Sequence, residues 1–129
     1  MTIGTAEGFT NQDGYTPDRL FAGDHPRETT KATLLSGENV SRGAVLGIVT
    51  ASGKLRLSAS GSADGSETPD AIAAEDADAT GGDVDVLIYR TGEFNQDAVT
   101  LGTGHTVASI SQGLRERGIF LKPTQAAAS

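Results

Sequence analysis

The run Asp83-Val84-Asp85-Val86-Leu87-Ile88-Tyr89-Arg90-Thr91-Gly92-Glu93-Phe94-Asn95 constrains the fold more than any other stretch of the chain. Asp83 and Asp85 alternate with Val84 and Val86, which is the period-two pattern of an antiparallel strand with one face in water. The pattern predicts a strand over 84–89 that ends in a Thr-Gly-Glu-Phe-Asn turn over 91–95.

Shorter β signals surround this run. Ala32, Leu34 and Leu35 follow Lys31 as a short strand, and Ser36-Gly37-Glu38-Asn39 has the composition of a turn. The segments 44–50 and 54–58 flank Ala51-Ser52-Gly53, which predicts a hairpin, with Leu55 and Leu57 on its core face. Residues 71–80 read as a small apolar strand around Ile72 with an acidic tail, and Gly81-Gly82 then permits a reversal. Val107, Ile110 and Leu114 fall at i, i+3 and i+7, one face of a helix over 106–117. Thr106 suits its N-cap, Arg115 and Arg117 the negative end of its dipole, and Gly118 its left-handed stop. Ile119-Phe120-Leu121 reads as a closing strand, and 123–129 as a frayed tail. The class is mainly β, with one short C-terminal helix.

A chain of 129 residues is one domain in size. It has no cysteine, which excludes disulfides and thiolate metal sites. Ten Lys and Arg against 17 Asp and Glu give a formal charge of −7, the wrong sign for neutralising phosphates, so a nucleic-acid partner is not expected. No window has the length and apolarity of a membrane span, and 1–5 lacks the basic and apolar regions of a signal peptide. A soluble chain made in the cytoplasm, with no membrane partner, is the expectation.

Residues 1–30 keep no sustained period and are dense in Gly, Thr, Asp and Pro, which reads as an extended, flexible arm preceding a β-rich domain over 31–122. Yet Phe9, Tyr15 and Phe21, three of the six aromatics, lie in this arm beside Leu20. Aromatic faces bury about 150–250 Å² each, so Phe9, Tyr15, Leu20 and Phe21 are the expected contacts with a partner. The competing expectation is that these four pack on their own domain. Residues 58–69 contain no large apolar side chain and read as a mobile surface loop.

Catalytic signatures are not found. His25 and His105 have no neighbour at metal-ligand spacing and read as exposed residues of a loop and a helix start. No Gly-x-Ser-x-Gly elbow, Walker loop or dinucleotide fingerprint occurs. Asp70, Glu75, Asp76, Asp78, Asp83 and Asp85 could ligate Ca²⁺, but their spacing is not that of an EF-hand and suits a solvated strand face. Neither metal nor cofactor is expected, and the chain is not expected to be an enzyme.

The pieces Ala44-Val45-Leu46-Gly47, the segment 71–79 and the segment 86–95 together resemble, in order and spacing, the head decoration proteins of tailed bacteriophages, including the lambda-type cement protein. The resemblance covers roughly 31–121. It implies a β-clip-like single domain that forms a homotrimer on the outer surface of the expanded head, bound to the major capsid protein. It further implies an N-terminal arm that orders on the shell, and a function in stabilising the head against the pressure of its genome. Two alternatives compete with this: a small-ligand or carbohydrate-binding β module, and a β-clip enzyme, since fold alone does not set function.

Overall fold

A computed structural model of the chain describes residues 20–23 and 25–123. The elements are β1 (Glu28–Leu34), β2 (Asn39–Val40), β3 (Val45–Ile48), β4 (Leu55–Leu57), β5 (Pro69–Ala73), β6 (Ala77–Asp78), β7 (Val84–Asn95), α1 (Val107–Arg115) and β8 (Ile119–Lys122). Strand pairing runs β1-β4-β3-β5-β7, and β7 returns to β1, so five strands close into a ring. Closure removes the exposed edges that invite non-specific strand pairing. The β3–β4 hairpin forms as predicted, with Leu46 opposite Leu57 and Ile48 opposite Leu55.

Alternation along the ring strands produces two cores. Leu46, Ala71, Ala73, Val86 and Ile88 join Leu34, Leu55 and several alanines in one cluster, which fills the ring. Val45 and Ile72 point the other way and join Leu20, Phe94, Ile110, Leu114 and Ile119 outside it. The helix supplies the cover. Thr106 caps it, and a reciprocal pair of hydrogen bonds joins Thr106 and Ser109 across its first turn; Gly118 stands at φ 85° just beyond it. Ile110 and Leu114 are its buried residues, as the periodicity requires.

β7 departs from expectation. Thr91 to Asn95 do not turn; the strand continues through them for twelve residues in all. Their turn-like composition is overridden because this half of β7 has partners on both sides. β8 pairs with it in parallel from Gly92–Ile119 to Asn95–Lys122, a connection that needs a long crossover, here supplied by α1. On the other side Phe21 bridges Phe94 antiparallel, and Phe94 is fully buried.

Residues 58–69 also differ from the loose loop expected. Ser58 and Ser66 are fully buried. The backbone amides of Thr50 and Ser60 donate to the carbonyls of Asp64 (2.9 Å) and Thr103 (3.0 Å). The loop is held by backbone and small polar groups, not by apolar anchors. The two-residue strands β2 and β6 form a small second sheet, too short to leave a period in the sequence.

Candidate docking site

The segment entering the domain is built into its sheet. The Asn95 amide donates to the Leu20 carbonyl at 2.6 Å and the Ala22 amide donates to the Glu93 carbonyl at 3.0 Å, so residues 20–22 lie as an outer strand beside β7, with β8 on the opposite side. Leu20 is 4% exposed and packs in the outer core. Its methyl lies against Gly43, where a Cβ would come within 3.4 Å of Leu20 Cδ1 and 2.9 Å of the Ala98 carbonyl. Phe21 sits edge-on to Tyr89 at 5.3 Å and tilted against Phe94 at 5.6 Å. The Arg27 guanidinium lies 3.7 Å from the centre of the Phe21 ring, with that of Arg42 at 5.4 Å, an arrangement in which ring quadrupole and cation attract.

Polar contacts fix the rest of the entry. Glu93 accepts from Lys122 Nζ at 2.7 Å and from the His25 amide at 3.3 Å. The Lys122 hydrogen bond, with the His25 amide second, holds the Glu93 carboxyl below its ordinary range. Thr91 Oγ1 accepts from the Glu28 amide (3.0 Å) and donates to the Pro26 carbonyl (2.8 Å). His25 is half-buried, its ring edge-on to Phe120 at 5.0 Å, and so is not the exposed loop residue expected.

Of the four residues expected to touch a partner, Leu20 and Phe21 are therefore packed on their own domain, because the second half of β7 offers them an edge and an apolar bed. Phe9 and Tyr15 lie outside the described residues. The extended arm expected over 1–30 is anchored from Leu20 onward, and β1 begins at Glu28. Arg27, Arg42 and Glu93 lie beyond what the sequence reading identified: charged side chains carry no signal of which ring or amide they will meet.

Other polar side chains of the described residues are held in local contacts. Ser58 Oγ and His105 Nε2 are 3.1 Å apart, the distance of a nucleophile and its base. But the same Nε2 also lies 3.0 Å from the Glu67 carbonyl, which can only accept, so the tautomer that satisfies this contact has its proton on Nε2 and does not offer Ser58 a base. His105 is thus a half-buried pin for the 58–69 loop, not the exposed residue expected. Five of the six acidic residues have separate partners: Asp70 with Arg117, Glu75 with the Leu87 amide, Asp76 with the Arg42 amide, Asp78 with Thr80, and Asp83 with Lys54; Asp85 pairs with no described residue. A groove of about 310 Å³ between α1 and β8 is lined by Ser111, Gln112, Arg115, Phe120, Leu121 and Lys122. Its two cations already bond Gln112 and Glu93, which leaves no converging polar set to select a small ligand.

What the geometry presents is a small β domain built on a closed ring of strands, with a chain segment rooted firmly in one side of it. No curated protein matches the chain at a significant level. A family model, bacteriophage lambda head decoration protein D, matches residues 10–119, which takes in the described domain up to the first residue of β8 and the second half of the segment that enters it. By that match the chain belongs to the bacteriophage lambda head decoration protein D family.

Proposed function

We propose that this chain binds the outer surface of the expanded phage head as a homotrimer and stabilises it against internal genome pressure, after synthesis in the host cytoplasm. Its partners on this reading are the major capsid protein and two further copies of itself. The family match places it among capsid decoration proteins of the virion, and the observation that carries the mechanism is the rooting of the N-terminal segment at Leu20–Ala22 on the sheet beside β7.

Adhesion needs a segment that can reach a partner and a root that transmits load to a rigid body. Residues 1–19, with Phe9 and Tyr15, supply the reach. They add as an extended segment to the edge of a capsid-protein sheet, where backbone hydrogen bonds give affinity and alternate side chains give fit. Ordering such a segment costs about 1–2 kcal/mol per residue, so three arms acting from one trimer raise the effective concentration of each and offset that cost together. A trimer clamped to adjacent capsomers then raises the work needed to part them.

The stabilising role is tested by filling expanded shells with genome, with and without the chain, and raising the temperature until DNA is released. Release is expected at a higher temperature with the chain bound. Identical release curves at saturating chain would overturn stabilisation.

A further inference from the structure

Among the described residues, the outer β1–β7 wall of the ring has no cover over Leu87. Across the β1–β7 pair Lys31 stands opposite Leu87 and Thr33 opposite Asp85, and directly opposed residues share a face. Ala32, Leu34, Val86 and Ile88 point the other way, into the inner core. Lys31, Asp85 and Leu87 are all exposed. Leu87, at 41%, is the one large apolar side chain exposed among the described residues. The next residue on this face, Tyr89, is covered by Phe21, so the outer cover stops one strand period short of Leu87.

The charges on this wall are unspent. Lys54, Arg56, Arg117 and Lys122 each pair with a carboxylate. Lys31 and Asp85 pair with each other no more than with any other described residue, although they stand diagonal across one strand pair. With Leu87 as an exposed apolar centre, the unpaired cation on β1 can face one neighbouring copy while the unpaired anion on β7 faces the other, the head-to-tail arrangement that closes a ring of copies. Two chains that each carry −7 repel over most orientations, and this wall is a place where one offers the other a cation.

We infer that the outer β1–β7 wall is the self-association face of this chain, with Leu87 at its centre and Lys31 of one protomer meeting Asp85 of the partner subunit. The inference rests on the self-association proposed above and assigns the surface that carries it.

Sedimentation velocity of the full-length chain tests it, with circular dichroism checking that each variant is folded. Lys31→Asp and Asp85→Lys each place like charges in contact and are expected to lower the association constant by more than about tenfold, as is Leu87→Glu. The double variant Lys31→Asp/Asp85→Lys restores the pairing and is expected to reassemble. Folded single variants that assemble as the wild type does would refute this face while leaving self-association intact. Singles that dissociate and a double that stays dissociated would refute the Lys31–Asp85 pairing. A wild-type chain that is monomeric at every concentration would overturn self-association itself. Variants that assemble normally but no longer bind expanded shells would give the wall to the capsid protein instead.

Discussion

Two glycines decide where the 58–69 loop can lie. A Cβ on Gly102 would come within 1.9 Å of the Ser58 carbonyl oxygen, and one on Gly47 within 2.1 Å of that of Ser66. Both neighbours are backbone and cannot swing aside. Gly102→Ala is therefore expected to destabilise the domain by about 1–3 kcal/mol, the usual penalty of overpacking. Gly113, on α1, has nothing within 4 Å of a Cβ, and Gly113→Ala is expected to stabilise by about 1 kcal/mol through helix propensity. Urea unfolding of the two variants checks both signs at once; equal midpoints would contradict the close-approach account. The same contacts explain why this loop is misread from sequence. Burial of Ser58 and Ser66 comes from the bare backbones of Gly102 and Gly47, and a search for large apolar anchors does not register it.

At the scale of elements, legibility follows length and self-sufficiency. The helix shows because its cap, its apolar face at Val107, Ile110 and Leu114 and its terminal Gly118 all lie within one short window. Thr106→Ala removes the side chain that accepts from the Ser109 amide and is expected to cost about 1 kcal/mol, measured as a shift in the urea midpoint; no shift would mean that tertiary packing alone holds the first turn. The second half of β7 is the reverse case. Its residues have turn chemistry, and only β8 and residues 20–22, distant in sequence, make it a strand. Leu20 and Phe21 are misplaced for the same reason, since their bed exists only once β7 has extended past Gly92. The candidate site is thus half legible: the aromatic content of the entering segment can be read, and the point where it leaves the domain cannot.

For the whole molecule, acid should be more damaging than neutral pH. Hydrogen bonds from Ser66, Thr80, Lys54 and Lys122 lead the interactions that hold the carboxyls of Asp64, Asp78, Asp83 and Glu93 below their ordinary values of 3.8 for Asp and 4.5 for Glu. Groups with depressed folded-state values stabilise fully above the unfolded values and lose that contribution as pH falls through the folded ones. The melting temperature is expected to be level from neutral pH down to about 5 and to fall below about 4. A melting temperature unchanged to pH 3 would contradict these contacts. Beyond stability, the molecule on the proposed reading divides its labour: one wall of the closed ring is assigned to another copy and the segment before Leu20 to the shell. The division fixes how the arm must be removed to test it. Deleting 1–30 would take Leu20 from the outer core and the first three residues from β1, whereas deleting 1–19 spares both. The decisive measurement is co-sedimentation with undecorated expanded shells, comparing the full chain with a chain lacking residues 1–19. Saturable pelleting of the full chain and none of the shortened one is predicted; equal pelleting of a folded shortened chain, or no pelleting of either, would contradict a decoration protein anchored by its arm.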